Sequence, residues 1–163
     1  MKRWYAVKIV IGKEEAVERQ LKNAGLEVLN PKYGLWERKG GKWQEKEKYL
    51  LSGYVLIQTV MTAERYYLLK NMWYVSYVLK GAVTEAEVMD IKSCLELAQT
   101  STIEYRQNKI MYSGAIKDNA QRIIKVDKRK QRVLLSFELG GEVIERWLPV
   151  KIIYGAENHQ GRK

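Results

Sequence analysis

Residues 53–59 read GYVLIQT, which is the clearest strand signal in the chain. β-Branched and aromatic residues favour strands, and an apolar run of this length is typical of a strand inside a sheet. Strand alternation places Tyr54 and Leu56 on one face and Val55 and Ile57 on the other. One of these faces has to pack on helices, so half of these apolar residues are expected to be buried in the hydrophobic core without a further role.

The segments before this strand predict a strand, a helix and a hairpin. RWYAVKIVI at 3–11 is typical of a buried strand. KEEAVERQLKNA at 13–24 has apolar residues on one helical face, and Gly25 is suited to end that helix. WERKGGKWQEK at 36–46 predicts two charged strands joined by Gly40-Gly41.

The segments after it add two helices and a strand. Thr62 is placed to cap a helix over 63–71, and YVSYVL at 74–79 predicts a strand. TEAE at 84–87 is a capping-box pattern that opens a helix to about Ala98. The order β-α-β-β-α-β-α predicts an α+β fold with helices packed on a mainly antiparallel sheet.

The last third of the chain changes character. Residues 99–109, QTSTIEYRQNK, are polar and lose the helical period, which predicts a linker. Short strands are predicted beyond it at 122–126, 132–137, 142–147 and 150–153. Closely spaced short strands are typical of a small barrel. The predicted organisation is therefore an α+β domain at 1–100, a linker at 101–111 and a small all-β barrel at 112–163.

The charge points to a polyanionic partner. The 163 residues include 29 Lys/Arg against 19 Asp/Glu, a net charge of +10. Residues 1–100 carry 16 basic and 12 acidic residues, and residues 101–163 carry 13 and 7. The shorter segment has the larger excess, so it is the more basic part and the better candidate for binding nucleic acid.

Residue types and patterns argue against an enzyme. Cys94 is the one cysteine and His159 the one histidine, so neither a zinc cluster nor a disulfide framework is expected, and a His-based triad is improbable. No phosphate-cradling glycine motif occurs. We expect no catalytic residues, no metal and no cofactor, with Cys94 as inert filler and His159 in a polar tail.

Hydropathy and the N-terminal sequence favour a cytoplasmic protein without a membrane partner. No apolar run approaches the roughly 18 residues that a membrane span needs. MKRWYAVKIVIGKEE becomes charged too early for a secretion signal.

Short motifs in a specific order carry a family resemblance. The first set is WYAV at 4–7, GKE at 12–14, GGKWQEKEK at 40–48, LLSGYVLI at 50–57 and TEAEV at 84–88. The second set is SGAIKDNAQRIIKVD at 113–127 and RVLLSFELGGEVIERWLPVKII at 132–153. Together they resemble the NusG family of transcription elongation factors. The resemblance implies an α+β NGN domain, an antiparallel sheet with flanking helices, followed by a small all-β KOW barrel.

The chain departs from the family pattern at several positions. Leu51-Ser52 stand where the family has Phe-Pro, and Trp73 and Tyr77 where it often has Pro and Gly. Gln121 occupies the place of the signature KOW glycine. These departures and the positive charge favour a specialised paralog, similar to the LoaP or RfaH type.

The resemblance also implies a polymerase contact. NGN domains bind the β′ clamp helices of bacterial RNA polymerase through an apolar concavity on the sheet. The matching positions are Lys8, Leu51, Tyr54 and Leu56. Arg65 and Tyr66, at the start of the predicted helix over 63–71, match more weakly a contact with the β gate loop or nearby DNA. The alternative is that Tyr54 and Leu56 are sheet core and that Arg65 lies on a solvated helix face.

Basic residues of the C-terminal segment predict a nucleic-acid contact, with nascent RNA as the expected partner. The candidates are Lys109, Lys117, Arg122, Lys125, Lys128, Arg129, Lys130 and Arg132. Crowded cations bind phosphates because neutralised phosphates release counterions. Since Trp147 is the single aromatic nearby in sequence, groove or backbone contacts to a structured nucleic acid are favoured over base stacking. The alternative is a solvated charged turn.

The resemblance, with the positive charge, thus implies a monomeric elongation factor that promotes processive antitermination. Two alternatives stay open. One is a general NusG factor whose KOW domain binds Rho or a ribosomal protein. The other is an RNA-binding KOW protein without a polymerase role.

Overall fold

The computed structural model describes residues 1–155, so His159 lies outside the described residues. The strands are β1 (Arg3–Ile9), β2 (Glu27–Leu29), β3 (Lys32–Lys39), β4 (Lys42–Tyr49), β5 (Tyr54–Thr59), β6 (Val75–Val83), β7 (Thr102–Arg106), β8 (Lys109–Ser113), β9 (Ile123–Asp127), β10 (Arg132–Leu139), β11 (Glu142–Pro149) and β12 (Lys151–Tyr154). The α-helices are α1 (Glu14–Asn23), α2 (Ala63–Lys70) and α3 (Glu85–Thr100), and a 3₁₀ helix spans Gly114–Arg122.

The central sheet has the strand order β2-β5-β1-β6, and every pairing in it is antiparallel. Its first face carries Val55 and Ile57, which share a buried cluster with Val17 and Leu21 of α1 and Leu69 of α2. Strand alternation therefore assigns the faces of β5 as predicted, and the α+β prediction is confirmed for this part of the chain.

The second face of the sheet packs on α3 and on the C-terminal part of the chain. Tyr54 and Leu56 belong to a second buried cluster that includes Ile91 of α3 and Leu135 and Phe137 of β10. This core is continuous from the N-terminal half (residues 1–100) to the C-terminal half (residues 101–155). The two halves are therefore packed against each other rather than joined only by a tether.

Local signals place the starts of α2 and α3 and the turn of the hairpin as predicted, whereas α3 runs on to Thr100 and the hairpin strands extend over Lys32–Lys39 and Lys42–Tyr49. Thr62 Oγ1 accepts the N–H of Arg65 at the start of α2. Thr84 and Glu87 form the capping box of α3. β3 and β4 form the predicted hairpin, whose Gly40 and Gly41 have φ of 61° and 79°. Positive φ at both central residues is what a two-residue type I′ turn requires.

The predicted linker contains regular structure. Residues 102–106 form β7, which pairs with β8 on one side and in parallel with β12 on the other. The alternation in TIEYR is a strand signal that the polar composition concealed, since Ile103 is fully buried. The 3₁₀ helix after β8 was also not predicted.

The strand pairing of the C-terminal half does not confirm a closed barrel. β9, β10 and β11 form an antiparallel sheet in the order β11-β10-β9. β12, which the barrel needs for closure, instead continues the β7–β8 sheet. Ile152 lies opposite Ile103, and the Tyr154 and Tyr105 rings stack with centroids 5.8 Å apart. These contacts to the predicted linker favour the parallel pairing.

Within residues 1–155, none of the helices is both long enough and apolar enough to cross a membrane.

Candidate functional site

The residues that match the family's polymerase contact lie on β1, on β5 and in the loop before β5, at the second face of the sheet. Leu51 and Leu56 are fully buried, and the Tyr54 side chain is 8% exposed. The ammonium group of Lys8, which neighbours Tyr54 across the β1–β5 pair, lies 4.2 Å from the centroid of the Tyr54 ring. The structure therefore brings these four predicted residues together, beneath β11 of the C-terminal half.

A hydrogen bond between the two halves holds the Tyr54 hydroxyl. This hydroxyl donates to Glu142 Oε2 over 3.0 Å, and Glu142 is the first residue of β11. Burial, followed by the hydrogen bond to the Glu142 carboxylate, raises the pKa of Tyr54 to about 12. Tyr54 is thus a neutral donor at neutral pH.

Arg146 of β11 adds two hydrogen bonds to the same edge. Its Nη2 donates to the carbonyl of Ser52 over 2.8 Å and its Nε to the carbonyl of Leu50 over 3.2 Å. Burial lowers the pKa of Arg146, and the neighbouring Tyr54 opposes this shift. The loop before β5 is therefore capped by a charged side chain from the other half.

Two glycines bring the backbones of the halves into contact. A Cβ atom on Gly81 of β6 would lie 2.6 Å from the carbonyl oxygen of Gly140, in the turn between β10 and β11. The Gly140 N–H also donates to Glu87 Oε1 over 3.2 Å. A larger side chain at Gly81 would separate these backbones, so the contact depends on glycine at that position.

Glu14 fixes the loop that precedes β5. This buried carboxylate accepts the N–H groups of Gly12 and Gly53 over 2.9 and 3.0 Å and lies 3.4 Å from the Ser52 hydroxyl. The GKE motif at 12–14 and the LLSGYVLI motif at 50–57 therefore form one hydrogen-bonded unit. Sequence analysis identified both motifs but not the Glu14 hydrogen bonds that join them.

Arg65 and Tyr66 occupy the first turn of α2. The Arg65 side chain is half-buried, whereas Tyr66 is exposed and lines a cavity of about 620 Å³ together with Tyr5, Tyr77 and the turn at Gly140. Tyr66 thus borders the contact between the halves.

Part of the predicted basic cluster converges on the turn between β9 and β10. Lys128, Arg129 and Lys130 are exposed there. The Asp127 carboxylate accepts the N–H of Lys130 over 3.0 Å and lies 3.5 Å from Arg132 Nε. The Lys130 hydrogen bond, together with the charge of Arg132, holds the pKa of Asp127 below its usual value. We call residues 128–130 the basic turn.

Two of the basic side chains lie against aromatic rings. The Lys128 ammonium lies 4.2 Å from the centroid of the Tyr105 ring. The Arg132 guanidinium carbon lies 4.2 Å from the centroid of the Trp147 ring. These distances are typical of cation–π contacts.

The other predicted basic residues lie outside the turn. Arg122 Nη2 pairs with Asp90 of α3 over 2.9 Å, which ties it to the helix. Lys125 is exposed on β9, Lys109 on β8 and Lys117 on the 3₁₀ helix. The eight candidates therefore do not form a single cluster.

Cys94, the one cysteine of the chain, lies in the buried core. Burial raises the pKa of the Cys94 thiol to about 11, so the thiol is protonated at neutral pH. Within residues 1–155, no group of three or more His, Cys, Asp or Glu side chains is arranged to hold a metal ion.

Sequence reasoning missed Glu142, Arg146 and the Gly81–Gly140 contact. The Gly140-Gly141 pair in the sequence is typical of a turn, and no local pattern indicates what a turn touches. The three charged residues among the apolar ones of EVIERW at 142–147 are the one signal that could have marked β11 as a polar edge.

Comparisons with known proteins agree on one family. A family model described as "Transcription termination factor nusG" matches residues 2–94. The chain is 26% identical over 161 residues to the "Transcription termination/antitermination protein NusG" of Rickettsia felis, with 87% of this chain and 84% of the relative covered. It is 26% identical over 178 residues to the protein of the same name from Vibrio parahaemolyticus, with 94% and 93% covered.

A solved structure described as "Domain interaction in Thermotoga maritima NusG" superposes with a TM-score of 0.48 at 19% identity. It covers 92% of this chain and 94% of that one.

Proposed function

The chain belongs to the NusG family of transcription termination and antitermination factors, and on that premise we propose that it is a specialised paralog of the LoaP or RfaH type that promotes processive antitermination. The family acts with RNA polymerase, and its members are transcription factors rather than enzymes. We place this chain's action in the cytoplasm, where the polymerase works, and propose that it acts as a monomer.

We propose that the N-terminal half docks on the β′ clamp helices of the polymerase through Leu51, Tyr54, Leu56 and Lys8. The observation that carries this proposal is an apolar, aromatic sheet face that β11 covers with two charged side chains: Glu142 accepts the Tyr54 hydroxyl and Arg146 donates to the Ser52 carbonyl. Tyr is enriched among interface hot spots, and this apolar face, once exposed by movement of β11, is suited to a protein partner. Arg65 and Tyr66 are proposed to reach the β gate loop from the adjoining turn of α2.

Docking on this face requires β11 to move away, because Leu51, Tyr54 and Leu56 are buried in the packed form. The polymerase therefore has to bind the separated form more tightly than the packed one, which makes docking a population shift. When it is bound across the DNA channel of the polymerase, the factor is proposed to disfavour the paused conformation of the enzyme.

We propose that the C-terminal half contacts nascent RNA through the basic turn. The three exposed cations of the turn and the excess positive charge of this half support that role. A general factor whose C-terminal half binds Rho or a ribosomal protein is the main alternative. RNA binding with a steep dependence on salt favours the specialised factor, because those alternative partners are proteins.

The test is retention of bacterial RNA polymerase by the full chain. Glu142→Ala removes the acceptor of the Tyr54 hydrogen bond and should favour the separated form. At sub-saturating polymerase we expect it to retain about tenfold more polymerase than the wild type, since a hydrogen bond to a charged group contributes about 1.5–3 kcal/mol and about 1.4 kcal/mol is a factor of ten. Adding Tyr54→Ala should abolish the gain, whereas Val143→Ala, at an exposed neighbour on β11, should change nothing.

Equal retention by Glu142→Ala with and without Tyr54→Ala would remove Tyr54 from the docking surface. If no folded variant retains polymerase while RNA binding persists, the chain is an RNA-binding protein without a polymerase role.

A further inference from the structure

A groove runs between the β3–β4 hairpin and the β9–β10 turn. Two adjoining cavities of about 500 Å³ and 290 Å³ form it, and both are lined by Leu35, Lys130, Gln131 and Pro149. Trp43 of the hairpin lines the larger cavity, and Trp147 of β11 the smaller one. We call this pair of cavities the hairpin–turn groove. Its walls come from both halves, so the groove exists only while the halves are packed together.

The lining of the groove is basic. Its cations are Lys48, Arg129, Lys130, Arg132 and Lys151, and among the described residues that line the two cavities there is no Asp or Glu. Arg129, Lys130 and Lys151 make no ion pair with any residue in 1–155. One carboxylate approaches the hairpin side, because Glu45 Oε1 lies over Gly34. The excess of unpaired cations suits a chain of phosphates rather than a neutral or basic peptide.

Each half contributes an indole ring. The Trp43 side chain is 66% exposed, an unusual exposure for the largest aromatic residue. Trp147 is half-buried and presents one face to the guanidinium of Arg132. Aromatic rings interleaved with cations are the features on which unpaired bases stack while their phosphates are neutralised. Bases in a duplex are stacked on each other and are not free to do so.

We propose that the hairpin–turn groove binds a single-stranded polynucleotide, with bases stacked on Trp43 and Trp147 and phosphates held by Arg129, Lys130 and Lys151. This inference rests on the nucleic-acid role proposed above for the basic turn and extends it to the N-terminal half. It also changes the expected form of the ligand, since Trp147 alone favoured a structured nucleic acid. When the halves separate, Trp43 leaves the strand and only the contacts of the turn remain.

The experiment measures binding of the full chain to fluorescently labelled oligouridylate and oligothymidylate of about 12 nucleotides, and to an RNA duplex, by anisotropy. Trp43→Ala should weaken binding of the single strands about tenfold, which corresponds to the loss of one stacked base. It should leave the duplex unaffected. The matched control is Trp73→Ala, which removes another exposed tryptophan outside the groove and should leave binding of all three probes unchanged. Thermal melting confirms that each variant is folded.

A second variant separates the two proposals. Arg129→Ala/Lys130→Ala should weaken all three probes and lower the salt dependence of single-strand binding by about 1.4 in log–log slope, or 0.7 for each phosphate that is no longer neutralised. If this variant loses binding but Trp43→Ala binds the single strands like the wild type, the proposed groove site is wrong, and the proposed role of the basic turn is supported. If neither variant loses binding, both proposals fail. If Trp43→Ala weakens binding of the RNA and DNA strands equally, the groove recognises the phosphates and bases that both strands share. If it weakens binding of the RNA strand alone, the groove also recognises the ribose 2′-hydroxyl. Both results support the proposed groove.

Discussion

The Tyr54 hydroxyl is the polar group through which the sheet of the N-terminal half meets β11. In the packed form it is a donor to Glu142, and ionisation would place two negative charges at a distance of one hydrogen bond. Burial and this contact together raise the pKa of Tyr54 to about 12 from an ordinary value of 10.0. The packed form therefore binds the proton of Tyr54 more tightly than the unfolded chain does.

This difference predicts a pH dependence in the alkaline range. Because the folded-state pKa is raised, the contribution of Tyr54 to stability is fully present below about pH 10 and is lost as the pH rises through about 12. We expect urea unfolding to show a steeper loss of stability between about pH 9 and 11.5 in the wild type than in Tyr54→Phe. The Phe variant keeps every other titrating group, so identical slopes would contradict the assignment.

Sequence reasoning placed the Tyr54 side chain correctly but could not say what covers it. The period of two in GYVLIQT assigns the faces of β5, because alternation is a local property of a strand. Glu142 lies 88 residues further along the chain, and only the packing of the halves brings it to the hydroxyl. The same limit applies to Trp43 and the basic turn, whose proximity no local pattern indicates.

At the scale of elements, helix α3 begins with a cap that also serves the other half. Glu87 Oε1 accepts the Thr84 N–H that completes the capping box and the Gly140 N–H of the β10–β11 turn, each over 3.2 Å. The TEAE pattern predicted the first of these contacts, since capping boxes are encoded locally. The second depends on where β10 and β11 pack.

The double role of Glu87 predicts unequal effects at the two ends of the capping box. Thr84→Ala removes the hydroxyl that accepts the Glu87 N–H and should lower the free energy of unfolding by about 1 kcal/mol. Glu87→Ala removes an acceptor for both Thr84 and Gly140 and should cost about 2 kcal/mol. Urea unfolding of the two variants measures the difference. Equal losses would mean that the Gly140 hydrogen bond adds no stability.

Sequence analysis missed strand β7 because its polar composition hides the alternation of its side chains. In β7, one fully buried side chain, Ile103, sits among polar neighbours, and the strand is stable because β8 and β12 flank it. β12 contributes Ile152 and Tyr154 to that pairing rather than closing a barrel. Whether such a segment forms a strand depends on pairing partners that are distant in sequence. The periodicity within the segment does not identify those partners.

At the scale of the whole molecule, the two halves share one of the two buried clusters, and the surface proposed to bind polymerase lies within that shared contact. The contact combines specific polar groups with the close approach of Gly81 and Gly140. Because these contacts stabilise one defined packed form, polymerase binding has to compensate for the free energy of separating the halves. The balance between packed and separated forms should therefore set the affinity for polymerase.

Gly81→Ala tests that balance without touching any residue proposed to bind a partner. Its Cβ would lie 2.6 Å from a backbone oxygen of Gly140, so the halves have to shift apart, and overpacking of this kind costs about 1–3 kcal/mol. We expect a larger radius of gyration in small-angle scattering, and tighter retention of polymerase together with weaker binding of single-stranded oligonucleotides. Ser76→Ala is the control, because Ser76 is exposed on the same strand, β6, and lines neither the contact between the halves nor the hairpin–turn groove. If Gly81→Ala loses stability but polymerase and oligonucleotide binding do not move in opposite directions, packing of the halves does not govern the choice between the two partners.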